Sequence, residues 1–292
     1  MTNDLHLLPR EGIVHGMPED EYHGGTELSN SGITDLLRSP FHYWAMHINP
    51  DRPEQKEKPG QQAGTLAHCA TLEPHRLEQR FAVGPDARRN SNAWKDAEAE
   101  AKERGKILVK PDEYATAKAQ AESILSIPDL RKALEQGNTE VSAFWTDRET
   151  GVRCRVRPDI VYETPHGIVL FDLKTFGDAS PDEFLRQIAR KTYQRQGAMY
   201  CDGYGAAADA DVRLFVFVAI EDKYPFAVSA IRLDGDSREA GWLSYRRGLS
   251  LYAEHERKGW PSAPCLTDGI IEARIPEWAI MKAFTEAEDH EY

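Results

Sequence analysis

The sequence lacks the features that mark membrane, secreted and zinc-ribbon proteins. No apolar stretch approaches the roughly 20 residues that a membrane-spanning helix needs. The N-terminus has neither the charged start nor the apolar core of a signal peptide. The four cysteines, Cys69, Cys154, Cys201 and Cys265, are far apart and form no CxxC pair. This spacing argues against a zinc ribbon and favours reduced thiols, so we expect a cytoplasmic protein with no membrane partner.

Positive charge is also scarce. The chain has 36 Lys and Arg against 48 Asp and Glu, which gives a formal net charge of −12. This is the wrong sign for a protein that coats nucleic acid without specificity. It does not exclude a nuclease, because the positive charge of such an enzyme can be confined to a groove or channel.

The remaining composition is that of an ordinary globular protein. The 292 residues are 40% hydrophobic and 29% charged, which suits one large domain or two small ones. We expect an irregular segment over 1–27, a folded domain over 28–265 and a C-terminal segment with an acidic tail over 266–292.

The order of predicted elements indicates the fold class. Helices fill the N-terminal half of the domain, and one of them covers 62–72. Next come strands over 140–145, 151–163 and 168–174, a helix from 181 to about 204, two further strands over 212–220 and 226–233, and a helix over 237–258. This order predicts an α/β (α+β) domain with a mixed, mainly antiparallel sheet flanked by helices, plus an N-terminal helical part.

A short hairpin, 151–174, carries the clearest chemical signal. If Glu163 pairs with Ile168 across its four-residue turn, the same register places Asp159 opposite Asp172. Side chains alternate faces along a strand, so Asp172 and Lys174 share one face. Directly opposed Cβ atoms lie roughly 4.5–5.5 Å apart, close enough for two carboxylates to share one divalent cation. A slip of one residue would separate them.

These residues suit metal-dependent phosphodiester hydrolysis. Mg²⁺ prefers oxygen ligands, which Asp159, Asp172 and the backbone carbonyl of Leu173 can supply. Lys174 would orient or deprotonate the attacking water and offset phosphate charge. An Asp-x-Lys triplet alone is a weak signal; here it ends an apolar strand, thirteen positions after Asp159. The alternative is an exposed strand end with ordinary charges.

Four residues from other elements are candidate neighbours of this pair. Glu140 begins the preceding strand and either adds a carboxylate or is an exposed strand residue. His68, on a helix rich in small residues, is either a metal ligand or a core histidine. Gln196 and Tyr200 lie four residues apart and therefore share a helix face.

Three groups of arginines are candidates for DNA contacts. The strand set, which shares the face of Asp159, is Arg153, Arg155 and Arg157. The helix set, which follows Lys174, is Arg186, Arg190 and Arg195. The loop pair, before Trp94, is Arg88 and Arg89. The strand set either contacts the phosphate backbone or pairs with helix acids. The helix set contacts phosphates or is a solvated surface, and the loop pair could hold a terminal phosphate or stack on a base.

Five ordered motifs together resemble the PD-(D/E)xK nuclease superfamily in its RecB-like branch. They are Gly64-Thr65-Leu66-Ala67-His68, Glu140, Pro158-Asp159, Asp172-Leu173-Lys174 and Gln196-Gly197-Ala198-Met199-Tyr200. Over roughly 25–265 the chain is similar to the nuclease domain of the exonuclease VIII (RecE) type, with the Leu28-Ser29-Asn30-Ser31 helix start included. The full set is specific, whereas each motif alone is not.

The resemblance implies a restriction-endonuclease-like core and a Mg²⁺-dependent exonuclease, with Mn²⁺ as a possible substitute. Such an enzyme degrades one strand of linear duplex DNA from the 5′ end and leaves a 3′ overhang for a single-strand annealing partner in recombination and repair. By position, His68, Glu140, Asp159 and Asp172 would belong to the metal site, Lys174 would be catalytic, and Gln196 and Tyr200 would support it.

The resemblance further implies a ring-shaped oligomer, a tetramer, with DNA in its channel, which would reconcile the −12 charge with DNA binding. No cysteine cluster resembles the iron–sulfur set of some relatives, so that cofactor is not expected. The family's large additional N-terminal region is missing, which suggests a compact phage or prophage form. The alternatives are a related endonuclease or structure-specific nuclease, and a binding module for DNA ends that has lost its chemistry.

Overall fold

The structure is a computed structural model that describes residues 10–53, 60–263, 266 and 269–288. The N-terminal half is mostly helical, with three short strands: β1 (Gly12–Val14), α1 (Glu19–Gly24), α2 (Asn30–Arg38), α3 (Pro40–Tyr43), α4 (Gln61–Leu72), α5 (Leu77–Arg80), β2 (Phe81–Val83), α6 (Asn92–Glu103), β3 (Ile107–Val109), α7 (Pro111–Leu125) and α8 (Pro128–Gln136). The remainder carries the main strands and four helices: β4 (Asn138–Thr139), β5 (Ser142–Thr146), β6 (Arg153–Val156), β7 (Ile160–Thr164), β8 (Gly167–Phe176), α9 (Pro181–Lys191), α10 (Tyr193–Ala208), β9 (Val212–Glu221), β10 (Val228–Ile231), α11 (Gly235–Lys258) and α12 (Glu277–Glu288).

A five-stranded sheet in the order β10-β9-β8-β7-β4 forms the centre of the domain. Only β8 and β9 pair in parallel within it, and the other three pairings are antiparallel. The predicted mixed, mainly antiparallel sheet is therefore confirmed. The two parallel strands are central and apolar, as expected for strands covered on both faces.

Helices cover both faces of this sheet, and side-chain alternation assigns each residue to one face. Leu170 and Phe217 pack with residues of α2, α9, α10 and α11. Phe171, Leu173 and Val218 pack on the other face with residues of α4, α7 and α8. Asp172 consequently lies on the face of Leu170, towards α10, as period-two alternation requires.

The register of the β7–β8 hairpin agrees with the prediction. Glu163 pairs with Ile168, and the ladder continues to its last pair, Ile160 with Phe171. Asp159 precedes β7 by one residue, so the same register places it across from Asp172. The two carboxylates thus occupy the same end of the hairpin because the turn fixes the register.

The predicted first arm, 151–163, is wrong as a single strand. Its first part, β6, belongs to a second sheet in the order β1-β5-β6, and its second part, β7, belongs to the central sheet. Pro158 lies at the break, where its missing N–H cannot join a ladder. The segment 1–27, predicted to be irregular, supplies β1 and α1 to the fold.

Two further elements differ from the prediction because single residues adopt left-handed backbone conformations. The predicted strand 140–145 begins only at Ser142, because Glu140 lies in a turn with φ of 53°. The predicted helix from 181 to about 204 is split at Thr192, with φ of 58°. Each change of direction ends one element and starts the next at a new angle.

Some predictions fall on residues outside the described ranges: Cys265, the first nine residues and 289–292 of the acidic tail. Among the described residues, no helix is both long enough and apolar enough to cross a bilayer.

Candidate active site

Asp172 and Lys174 meet at the end of β8. Asp172 is 2% exposed, and its Oδ1 accepts a hydrogen bond of 2.5 Å from Gln196 Nε2 on α10. Its Oδ2 pairs with the Lys174 ammonium. Strand periodicity puts both side chains on one face, and α10 provides the amide that fixes the carboxylate.

Asp159, His68 and Glu140 form a second cluster beside this pair. Asp159 Oδ2 accepts a hydrogen bond of 2.6 Å from the Leu173 N–H and lies 3.9 Å from His68 Nδ1. One possible ligand atom from each of the three side chains lies within 4.8 Å of the other two. A nitrogen and two carboxylate oxygens at such spacing can converge on one divalent cation.

The Leu173 carbonyl, predicted as a further ligand, borders the same cluster. Its oxygen lies 3.2 Å from His68 Nε2 on α4. The buried Leu173 side chain points away from the site into the core, so the backbone alone is available there. The helix that carries His68 thus packs directly against the end of β8.

Glu140 reaches the cluster from a turn and not from the predicted strand. Its N–H donates to the Asp159 carbonyl at 3.1 Å, which ties the turn to the start of β7. Its Oε2 lies 2.7 Å from Arg157 Nε. The turn between β4 and β5 therefore places the Glu140 carboxylate at the site.

The two acids of the cluster, Asp159 and Glu140, have raised pKa values. Burial, followed by repulsion from Asp172, raises the pKa of Asp159 to about 8. Burial, followed by repulsion from Asp159, raises the pKa of Glu140 to about 7. A divalent cation would relieve the same desolvation and repulsion, so the donor set fits such an ion.

The two nitrogen bases at the site differ in charge: His68 is neutral and Lys174 is protonated. Burial and the nearby Lys174 charge lower the pKa of His68, which favours the neutral imidazole that can ligate metal. Burial alone would lower the pKa of Lys174, but the carboxylates of Asp172 and Asp159 outweigh it and raise the pKa. Lys174 is therefore held as an ammonium, 5.0 Å from the centre of the Tyr193 ring.

Tyr200 lies one helical turn beyond Gln196 and lines the same cavity. Its ring packs edge-on against Phe215 at 5.8 Å. Burial raises the pKa of its hydroxyl well above the ordinary value, so it stays protonated. The shared face of Gln196 and Tyr200, expected from their spacing, is directed at the acids.

Two arginines predicted to contact DNA are buried structural residues, and those predictions are wrong. Arg155 donates to the backbone carbonyls of Tyr22 and His23 from beneath α1. Arg195 donates to Asn30 Oδ1 and Thr34 Oγ1 on α2. A buried guanidinium needs such fixed acceptors, and neither side chain is available to a phosphate.

The other predicted arginines remain accessible to different degrees. Arg157 lines the cavity beside Glu140, whereas the others lie on the surface: Arg88, Arg89, Arg153, Arg186 and Arg190. Two of these have acid partners, since Arg89 contacts Glu113 at 2.7 Å and Arg186 contacts Glu183 at 3.1 Å. Arg89 also stacks over the Trp94 ring at 5.0 Å.

The site opens into a cavity of about 1130 Å³ between α1, α4 and the end of β8. Its mouth carries two arginines that the sequence did not single out, Arg76 and Arg80. Arg76 contacts Glu73 at 2.6 Å, and Arg80 contacts Glu19 of α1 at 2.7 Å. Their position could have been inferred from the sequence, because Glu73, Arg76 and Arg80 are three and four residues apart and such spacing places charged side chains on one helix face.

Comparisons with known proteins agree with this architecture. A family model described as "PDDEXK-like domain of unknown function (DUF3799)" matches residues 29–265. A Eubacterium rectale protein named "Putative exonuclease" has a similar solved structure, with a TM-score of 0.60 at 13% sequence identity. The alignment covers 92% of this chain and 99% of that one, and at this identity it bears on the fold alone.

Two other solved structures match less well. A protein named SSO0001 has 16% identity and a TM-score of 0.28, over 64% of this chain and 86% of that one. Protein VC1899 of Vibrio cholerae has 10% identity and a TM-score of 0.22, over 80% and 57%. Both TM-scores are too low to bear on the fold, and no curated protein sequence matches the chain.

Proposed function

Because the chain belongs to the PDDEXK-like family DUF3799 and is thus a nuclease of the PD-(D/E)xK superfamily, we propose that it is a divalent-metal-dependent exodeoxyribonuclease. It degrades one strand of linear duplex DNA in the 5′ to 3′ direction and leaves 3′ overhangs for recombination. The observation that carries the proposal is the convergence of His68, Glu140 and Asp159 beside the Asp172–Lys174 pair.

His68, Glu140, Asp159 and Asp172 would hold the metal, Mg²⁺ or Mn²⁺, with the Leu173 carbonyl as a further donor. When bound, the ion lowers the pKa of water and neutralises charge on the phosphate. The raised pKa values of Asp159 and Glu140 mean that binding an ion releases protons from these acids.

The surrounding residues position the reacting groups. Lys174, held as an ammonium by Asp172 and Asp159, stabilises negative charge on the phosphate and orients the attacking water. This charged state favours an orienting role over a role as general base. Gln196 fixes the rotamer of Asp172 through its 2.5 Å hydrogen bond, and Tyr200 closes the site behind it.

Cationic side chains are present where the strand would enter. Arg76, Arg80, Arg157 and Lys174 line the cavity, together with the acids Glu19, Asp20, Glu73, Glu140, Asp159 and Asp222. Phosphates would compete with Glu73 and Glu19 for the first two guanidinium groups. Such contacts would let a chain with a net charge of −12 hold DNA locally, and the exposed Arg88, Arg153 and Arg190 would extend the path.

The 5′ polarity, a ring-shaped tetramer and an annealing partner come from the likeness to the exonuclease VIII type. A site at the base of a cavity agrees with attack at DNA ends, because a frayed single strand can enter it.

Digestion of linear duplex labelled at either the 5′ or the 3′ end, with Mg²⁺, Mn²⁺ or Ca²⁺, tests the proposal. We expect early release of 5′ label with Mg²⁺ or Mn²⁺, retention of 3′ label, and binding without turnover in Ca²⁺. Rapid linearisation of a closed circle would assign the chain to the endonucleases instead. Binding of DNA ends without nucleotide release in any metal would assign it to inactive modules.

A further inference from the structure

A second cavity lies on the opposite side of α10 from the active site. Its volume is about 410 Å³, and it is enclosed by α10, β9 and the first turns of α11. We call it the α10–α11 groove. Small residues, Gly197 and Ala198, leave room on the α10 side, and Phe215 and Trp242 supply aromatic walls. A cavity of this size accepts one large side chain or a small ligand.

The arginines that line the groove have few contacts within the chain. Arg213 and Arg232 make no ion pair with any residue in the described ranges, and Arg238 contacts only a backbone carbonyl there, that of Asp234, at 3.3 Å. Of the two acids in the lining, Asp202 already accepts from the Trp242 indole N–H at 3.0 Å. These positions favour an occupant with negative charge.

Helix α12 has matching properties. Trp278, Met281 and Phe284 are 73%, 55% and 64% exposed, an unusual display of large apolar side chains on one short helix. The twelve residues of α12 carry three glutamates and one lysine. The helix is thus acidic as well as apolar, and it begins with Glu277 directly before Trp278.

We propose that the α10–α11 groove binds helix α12 of a second copy of this chain. Trp278 fills the cavity, while the glutamates of α12 face Arg213, Arg232 and Arg238. The size of the cavity and the charges of the two surfaces fit this occupant.

A second copy is a better source of α12 than the same chain. In its own chain, α12 leaves Trp278 exposed. The proposal is independent of nuclease activity, although a ring-shaped assembly would need an interface of this kind.

The first test measures molar mass by light scattering over a hundredfold range of concentration. We expect the wild-type chain to self-associate and Trp278→Ala to require at least tenfold higher concentration. Leu185→Ala, which removes a 46% exposed side chain from α9, is the matched control and should behave as wild type. A wild-type chain that stays monomeric, or an unchanged Trp278→Ala variant, overturns the proposal.

A second test uses charge reversal to identify the two surfaces. One variant carries Arg213→Glu, Arg232→Glu and Arg238→Glu, and the other carries Glu277→Lys and Glu286→Lys. Each alone should be monomeric, with circular dichroism confirming the fold, and an equimolar mixture should associate, since each helix then meets an opposite charge in the other copy. If the mixture remains monomeric, or if either variant associates alone, these surfaces do not bind each other.

Discussion

The two cavities beside α10 differ in how their charges are paired. In the active site, the charged side chains contact one another, as in the Asp172–Lys174 and Glu140–Arg157 pairs. In the α10–α11 groove, the exposed Arg213 and Arg232 make no ion pair with the described residues. The first arrangement is fixed before any ligand arrives, as catalysis requires. The second is incomplete, as expected of a surface that is completed by a partner.

The arginines of this fold likewise fall into two kinds, buried and exposed. Arg155 and Arg195 are buried and bound by fixed acceptors, so they hold α1 and α2 to the domain. The groove arginines are exposed and contribute little to the stability of the single chain. A charged side chain thus has a structural or a binding role according to its burial and its partners.

The largest expected effect is on catalysis. Lys174→Ala should lower the rate of DNA hydrolysis roughly 10²–10³-fold, because the charge that faces the phosphate is lost. Single-turnover digestion of labelled duplex measures the rate, with melting temperature as a check on folding. Lys191→Ala, an exposed lysine of α9, is the matched control. An unchanged rate in the first variant would remove Lys174 from the mechanism.

The next largest effect is on the free energy of unfolding, compared for one arginine from each cavity. Arg157→Ala should lower the free energy of unfolding by about 3 kcal/mol, since it leaves the half-buried Glu140 carboxylate without its partner. Arg232→Ala should change it by about 0.5 kcal/mol or less. Urea denaturation measures both. Equal losses would show that the charge pairing does not distinguish the cavities.

Metal binding should depend on pH at the active site. Asp159 and Glu140 have folded-state pKa values raised to about 8 and about 7, so the folded chain keeps protons that the unfolded chain releases above roughly pH 4. Stability without metal therefore falls as pH rises from about 4 to about 8.

The stabilisation by Mg²⁺ should consequently be greater at pH 8 than at pH 6, because less proton displacement is needed. The difference in melting temperature with and without Mg²⁺, measured at both pH values, tests this. Glu140→Gln should reduce the pH dependence, and Glu239→Gln, in the groove, should leave it intact. A larger Mg²⁺ effect at pH 6 would contradict the assigned ligands.

The smallest expected effect is from the groove. Trp242→Ala removes a hydrogen bond to Asp202 and should cost about 1 kcal/mol of stability. DNA hydrolysis per chain should stay within about twofold of wild type, because α10 separates this side chain from the acids. A loss as large as that of Lys174→Ala would mean that the two cavities are coupled.

Much of the site was predictable because its residues are placed by local geometry. The turn after Glu163 sets the register that brings Asp159 across from Asp172, and strand alternation puts Lys174 on the same face. Helix periodicity likewise puts Gln196 and Tyr200 on one face. The convergence of His68 on this pair came from the family resemblance, because no local rule connects residues 105 positions apart.

Other features were not predictable from local patterns. Glu140 and Thr192 adopt left-handed conformations although neither is a glycine, so the sequence did not indicate them. The first lies in the turn before β5, and the second divides a helix that was predicted as continuous. The arginines of β6 alternate as a DNA-binding face would, yet α1 covers Arg155. Arg76 and Arg80 read as helix surface until Glu19 of α1 is placed across the cavity from them.

The sequence by itself determined the order of most elements, the register of the β7–β8 hairpin and the acid–lysine pair, because turns, strand periodicity and helix periodicity act over a few residues. Only the tertiary structure decided which charges are buried, which acids repel each other and which apolar surfaces stay exposed. Those properties depend on packing between residues distant in the chain, and desolvation and Coulomb energies have no definite value until that packing is known.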